Sequence, residues 1–152
     1  MNYNLYTDGA TSNNGYENSF GGWAWALLNE KRDLLLTDKG RIAPATNNIC
    51  EMSAIIEGCK AISIDLTDKD TVTVYSDSAY CINCYNQKWF INWQKNHWQN
   101  AKKQPVANRE LWEQLIPFFM DKRFIFTKVK GHSNDEINDL VDMLAVEAKF
   151  EE

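Results

Sequence analysis

No stretch of 18 or more apolar residues occurs in the 152-residue chain, so the usual signal of a membrane-spanning helix is missing. The start MNYNLYTDGA also lacks the basic and apolar regions of a signal peptide, and a cytoplasmic location is expected. Cysteine is scarce. Cys50, Cys59, Cys81 and Cys84 are too few for a disulfide scaffold at this length, and each falls in a segment with helical patterning, so reduced, buried thiols are expected. Cys81 and Cys84 have zinc-like spacing, but the only histidines are His97 and His132, and no second pair completes a tetrahedral set. A net basic charge is lacking too. The formal charge of −5 argues against a protein that simply coats DNA, because phosphate binding leaves a basic footprint on a whole domain.

What is present fits one soluble globular domain over residues 1–152, with 44% apolar and 24% charged residues and enough length to bury a core unaided. Charge is distributed unevenly. From Ser78 to Asn108 there is no Asp or Glu, while Lys88, Lys95, Lys102 and Lys103 give that stretch +4; with −5 for the whole chain, the remainder carries −9.

The opening YNLYTDG alternates apolar and polar residues and reads as a strand ending in an Asp8-Gly9 turn. GGWAWALLN and DLLLTDKGRIA, separated by the polar turn Asn29 to Arg32, predict two further strands paired antiparallel with it. After Asn48 the period changes. Met52, Ile55, Ile56, Cys59 and Ile62 form the apolar stripe of a helix, closed by Asp65 to Asp70. TVTVYSD is a β-branched run feeding a helix, SAYCINCYNQ. A tryptophan- and lysine-rich region, the helix NRELWEQLIPFFM and the strand RFIFTKVKG follow. Ile137, Leu140, Val141, Leu144, Ala145 and Ala148 mark a final helix, with Asp139, Asp142 and Glu147 off the stripe. This order describes an α/β domain, a mixed sheet with helices packed on it.

Four acids stand out, and each alone has an ordinary explanation. Asp8 suits a turn, Glu51 lies three residues after Asn48 as in a capping box, Asp77 suits a helix N-cap, and Asp142 suits a solvated helix face. Placement changes the weighting. Asp8 and Asp77 sit at strand ends that a sheet brings together, while Glu51 and Asp142 flank helix stripes that face the sheet. Converging carboxylates repel unless a cation sits among them, and oxygen ligands suit Mg²⁺ or Mn²⁺.

YTDGA at 6–10, TNNICEMSA at 46–54, YSDSAY at 75–80, VKGHS at 129–133 and NDLVDMLA at 138–145 resemble, in order, the five signature blocks of type 1 ribonuclease H. The resemblance implies a ribonuclease H-like α/β fold, a five-stranded mixed sheet flanked by helices, and an endonuclease that hydrolyses the RNA strand of RNA/DNA hybrids. It implies that Asp8, Glu51, Asp77 and Asp142 hold two Mg²⁺ ions, which Mn²⁺ can replace, with Asp8 shared between them. Two such ions clamp an in-line phosphoryl displacement and leave 5′-phosphate and 3′-hydroxyl ends. His132 matches a histidine thought to assist proton transfer or product release; on its own it is an ordinary loop histidine.

Hybrid selection requires contact with 2′-hydroxyls. By resemblance, Asn13, Asn14, Asn47 and Asn48 read the RNA strand in the minor groove, and Thr46 and Asn108 hold a DNA-strand phosphate; the alternative for the asparagines is turns and caps. Residues 88–108 resemble the basic handle of bacterial relatives, placing Lys88, Trp89, Lys95, Lys102 and Lys103 along the hybrid. Trp89, Trp93, Trp98 and Trp112 are expected to form a structural aromatic cluster. Ala79 departs from the glutamine that many relatives carry there, which puts that contact in doubt. Competing readings are an integrase, transposase or Holliday-junction nuclease of the same superfamily, a hybrid-binding protein without catalysis, or a generic acidic metal-binding domain. A monomer without membrane attachment is expected.

Overall fold

The computed structural model describes residues 1–129 and 135–151. Its elements are β1 (Asn2–Ser12), β2 (Phe20–Leu28), β3 (Leu34–Ile42), α1 (Asn47–Ser63), β4 (Thr71–Ser76), α2 (Ala79–Gln87), α3 (Trp89–Lys95), α4 (Arg109–Phe119), β5 (Phe124–Lys128) and α5 (Glu136–Lys149). The strands form one mixed sheet in the order β3-β2-β1-β4-β5. β1 pairs antiparallel with β2, β2 antiparallel with β3, and β1–β4 and β4–β5 are parallel.

Period-2 alternation sends neighbouring side chains of the central strands to opposite faces. Leu5, Trp25, Leu27, Val72 and Val74 meet Met52, Ile55, Ile56 and Cys59 of α1 on one face, while Tyr6, Ala26 and Leu28 meet Val141 of α5 on the other. Helices therefore cover both faces, and the central strands are buried on both sides. Each fully buried aliphatic side chain contributes about 1.5–3 kcal/mol. All four cysteines are free and buried, as expected. Among the described residues no helix is long and apolar enough to cross a membrane.

Three local readings of the sequence are corrected. β1 does not stop at Asp8-Gly9, because β2 continues to pair with it from Gly9↔Trp23 to Ser12↔Phe20, and the chain turns only afterwards, with Asn13 at φ 58°. Helix α1 is capped by Thr46, whose side chain accepts from the Ile49 amide, so the Asn48–Glu51 capping box does not form. Helix α2 is capped by Ser78, which accepts from the Cys81 amide, so Asp77 is not the cap. The last two corrections each release a carboxylate from a structural duty.

After α2 the chain turns through Lys88, at φ 55°, into α3. The following segment folds on itself: Asn100 Oδ1 accepts from the Lys102 and Gln104 amides, and Gln99 bridges Pro105. Trp93 is the hub of the aromatic cluster, with ring centroids 6.2 Å from Trp89, 6.1 Å from Trp98 and 5.4 Å from Trp112. These rings pack on one another and on the core, which bears out the structural reading. Lys88, Lys95, Lys102 and Lys103 are exposed around them.

Candidate active site

The parallel pairing of β1 and β4 ends at Tyr6↔Tyr75, and Asp8 and Asp77 each follow two residues later. The parallel register alone thus carries both acids to the same edge of the sheet. Glu51 arrives from α1, and a glycine makes that possible. A Cβ at Gly9 would lie 2.6 Å from the Cys50 carbonyl carbon and 2.7 Å from the Glu51 nitrogen, so α1 rests directly on the β1 backbone. The Gly9 amide then donates to both Asp8 Oδ1 at 2.9 Å and Glu51 Oε1 at 3.1 Å. The Asp8-Gly9 pair has the sequence pattern of a turn; the role of Gly9 as the contact point for α1 depends on a partner 42 positions away, which no local pattern reports.

Asp8, Glu51 and Asp77 each offer a carboxylate oxygen within 4.8 Å of the others. Asp8 is buried, and desolvation, followed by the charge of Asp77, pushes its carboxyl up to about 7. Burial, followed by the charges of Asp8 and Asp77, holds Glu51 well above the usual carboxylate range. Glu51 Oε2 is buried and has no hydrogen-bond partner. At this separation two unit charges repel by about 3 kcal/mol for an effective dielectric of about 20. A cluster of close acids with an orphaned inward-facing oxygen fits a hard divalent cation, which neutralises the repulsion and accepts the free lone pairs. Asp142, exposed on α5, lies outside this trio, but its charge also raises the Asp8 carboxyl. His132 lies outside the described residues.

The asparagines assemble around the first turn of α1. Asn14 Oδ1 accepts from the Asn47 amide at 3.1 Å, Thr11 bonds Asn47 through its hydroxyl, and Asn13 donates to the Asn18 carbonyl at 3.5 Å. Asn13, Asn14 and Asn47 are exposed, and Asn48 is half-buried. Thr46 is occupied as the α1 cap, while Asn108, at φ 61°, donates to the Tyr80 hydroxyl at 3.4 Å. A shallow depression lined by Ile49, Asn108 and Arg109 joins the α1 and α4 starts. Trp89 is half-buried, its indole donating to Gln87.

A family model described as RNase H matches residues 1–150. The chain belongs to the ribonuclease H family. A ribonuclease H of Clostridium botulinum (strain Hall) is 44% identical over 149 residues, covering 97% of this chain and 95% of the relative. That of Caldicellulosiruptor saccharolyticus is 43% identical over 141 residues, covering 93% and 91%. Among solved structures, LC9-RNase H1, a type 1 RNase H with the type 2 active-site motif, superposes with a TM-score of 0.79 at 21% identity, covering 97% of this chain and 72% of that one. LC11-RNase H1 in complex with RNA/DNA hybrid gives 0.71 at 22% identity, covering 97% and 96%. These neighbours share the fold. This ribonuclease H carries its family's five-stranded mixed sheet with the acid cluster at the edge where the two central parallel strands stop pairing.

Proposed function

We propose that this ribonuclease H, a monomeric cytoplasmic enzyme of one domain, hydrolyses the RNA strand of RNA/DNA hybrids to 5′-phosphate and 3′-hydroxyl products. The observation that carries the reading is the convergence of Asp8, Glu51 and Asp77 around an unpartnered Glu51 oxygen in a chain of this family. Asp8, Glu51, Asp77 and Asp142 are the residues that would hold two divalent ions, Mg²⁺ or Mn²⁺. Bound there, such ions supply an activated water and charge stabilisation for the leaving 3′ oxygen.

The protein's own part is to fix these oxygens before substrate arrives. The Gly9 amide locks Asp8 and Glu51 in one orientation, and Ser78 takes over the capping of α2 so that Asp77 stays free. His132 is assigned to proton transfer or product release. Asn13, Asn14, Asn47 and Asn48 present short amides able to bond 2′-hydroxyls, which is the group that separates an RNA strand from DNA. Asn108 lines the depression at the α1 and α4 starts, and Thr46 caps α1; the two are assigned to a DNA-strand phosphate. The handle, residues 88–108, contributes Lys88, Lys95, Lys102 and Lys103 as a salt-sensitive track for the backbone, with Trp89 beside them. The fold relative LC11-RNase H1 was solved with an RNA/DNA hybrid bound, which supports this choice of duplex.

The test is cleavage of an end-labelled RNA strand, paired with DNA or with RNA, in Mg²⁺, Mn²⁺ or EDTA. Metal-dependent cutting of the hybrid alone, abolished in Asp77→Asn, is the expected result. Tight hybrid binding without cutting would refute catalysis, and full activity in Asp77→Asn would refute the site.

A further inference from the structure

Each central strand carries a tyrosine two residues before its acid: Tyr6 before Asp8 on β1, Tyr75 before Asp77 on β4. Their rings stack with centroids 4.4 Å apart and planes 15° apart, on the face covered by α5. Tyr75 is fixed by its hydroxyl, which donates to Asn4 Oδ1 at 3.2 Å, and by its carbonyl, which accepts from Thr7 Oγ1 at 2.9 Å. Tyr6 reaches further. Its hydroxyl donates to Asp135 Oδ2 at 2.8 Å and accepts from Arg32 Nη2 at 3.0 Å, and Arg32 also stands 3.7 Å from Asp135. The Arg32 guanidinium lies 5.6 Å from the Tyr6 ring centroid.

Asp135 is the N-cap of α5. Its Oδ1 accepts from the Ile137 amide at 2.9 Å and the Asn138 amide at 3.4 Å, so one oxygen holds the helix and the other is held by β1. Asp142 lies seven residues on, two helical turns or about 10.5 Å along the axis and within about 20° of the same helix face. Any slide or roll of the α5 start therefore reaches Asp142 almost undiminished.

The two halves of α5 are secured differently. The C-terminal half presses its backbone on β2, where a Cβ at Gly22 would lie 2.2 Å from the Ala145 carbonyl oxygen, and it is tied by Lys39 to Glu147 at 3.1 Å and by Arg41 to the Lys149 carbonyl at 3.0 Å. The N-terminal half has the buried Val141, the half-buried Ile137 and the Asp135 contacts.

We propose that Tyr6, braced by Arg32, is a positioning residue that sets the Asp142 carboxylate against Asp8 by clamping the α5 N-cap to β1. The inference rests on the reading above, in which Asp142 serves the ion site. Tyr6 touches no reacting atom. It carries the same strand's order from Asp8 to the helix that brings the fourth acid, linking positions 129 residues apart in sequence.

Tyr6→Phe removes only the hydroxyl and leaves the ring stack, the α5 cap and the Arg32–Asp135 pair in place. The experiment measures Mn²⁺ affinity by electron paramagnetic resonance of free Mn²⁺, without substrate, in wild type, Tyr6→Phe, Asp142→Asn and the double variant, with thermal melts of each. Loss of a charge-assisted hydrogen bond predicts that Tyr6→Phe weakens Mn²⁺ binding about tenfold. Asp142→Asn weakens it as well, and adding Tyr6→Phe to it produces no further loss. In Mg²⁺-dependent hybrid cleavage, Tyr6→Phe shifts the half-saturating Mg²⁺ concentration by a similar factor and leaves KM for the hybrid unchanged at saturating metal.

A Tyr6→Phe protein with a lowered melting temperature and unchanged Mn²⁺ affinity would overturn the inference, because the hydroxyl would then serve stability alone. Equal losses from Tyr6→Phe in both backgrounds would overturn it too. If Asp142→Asn leaves Mn²⁺ binding intact, the assignment of Asp142 to the ion site fails first and takes this inference with it. Wild-type protein that binds Mn²⁺ in the expected pattern but leaves hybrid uncut would refute the proposed activity and leave the positioning role standing.

Discussion

Replacing Gly9 with alanine adds one methyl group at the tightest contact near the site. The backbone of Gly9 is not in the left-handed region, so alanine is conformationally admissible, and restricting the unfolded chain would favour folding by about 0.4–1 kcal/mol. The cost comes from space. The new carbon would stand 2.6 Å from the Cys50 carbonyl carbon and 2.7 Å from both Cys50 Cβ and the Glu51 nitrogen, where ordinary contact begins at 3.4 Å. These are backbone and Cβ atoms of a helix, so no side-chain rotation relieves them, and α1 must retreat by about 0.8 Å. Overpacking of this kind costs about 1–3 kcal/mol. Net of the gain, a loss of about 1–2 kcal/mol lowers the melting temperature by roughly 2–8 °C in a chain of this size.

The larger effect falls on chemistry. The same retreat stretches the 3.1 Å bond from the Gly9 amide to Glu51 and moves that carboxylate away from Asp8 and Asp77. A displacement approaching 1 Å costs on the order of a hundredfold in rate. Gly9→Ala is therefore expected to lower single-turnover hybrid cleavage about a hundredfold at a temperature where the variant is fully folded. Cleavage within about threefold of wild type, with α1 shown to be in place by an unchanged melting temperature, would refute the argument that this contact sets the site.

The raised carboxyls of Asp8 and Glu51 fix the sign of a pH effect. Groups whose folded-state pKa lies above the unfolded value stabilise the protein below about pH 4 and lose that contribution as pH rises through the folded value, about 7 for Asp8. In EDTA, urea unfolding should show stability falling between about pH 4 and 7, by up to a few kcal/mol at about 1.4 kcal/mol per unit, with the fall reduced in Asp8→Asn and, when EDTA is left out, in saturating Mg²⁺. A slope that persists unchanged in Asp8→Asn would contradict this. Tyr80→Phe removes the hydroxyl that accepts from the indole of the fully buried Trp112 at 3.1 Å, and leaving that donor unpaired should cost about 1–3 kcal/mol in urea unfolding; a loss under about 0.5 kcal/mol would show that the indole finds another partner. Charge reversal of Lys95, Lys102 and Lys103 together is expected to raise KM for the hybrid and flatten its salt dependence with little change in kcat, and an unaltered KM would remove the handle from substrate binding.

The parts of the fold legible in the sequence were those whose signal is local and periodic. The stripe from Met52 to Ile62 and the Val141, Ala145 and Ala148 face predicted α1 and α5, and the β-branched TVTVYS predicted β4. The acids Asp8, Glu51 and Asp77 were legible by block order, and the sheet register explains why they meet. What escaped depends on distant partners. The Asp8-Gly9 pair has the chemistry of a turn, yet β2 supplies a full ladder that keeps the strand extended. Thr46 and Ser78 each compete with a polar neighbour for a helix cap, and sequence alone does not choose between residues one or two positions apart. The bond between Tyr6 and Asp135 joins the two ends of the chain and leaves no trace in either segment.

The four thiols give the molecule its own set of clocks. Burial pushes Cys50 up to about 11 and Cys81 and Cys84 to about 12, with Cys59 higher still, so at neutral pH each is protonated as well as shielded. A thiol reagent can then react only through transient opening, at a rate set by how often each region parts. Cys50 adjoins Glu51 and lies where a side chain at Gly21 would touch its sulfur, so its labelling times the parting of α1 from β1 and β2. Cys59, midway along the same helix and wholly enclosed, times the loss of the core. The difference between the two rates measures how much sooner the catalytic edge loosens than the rest of the molecule, with no residue replaced.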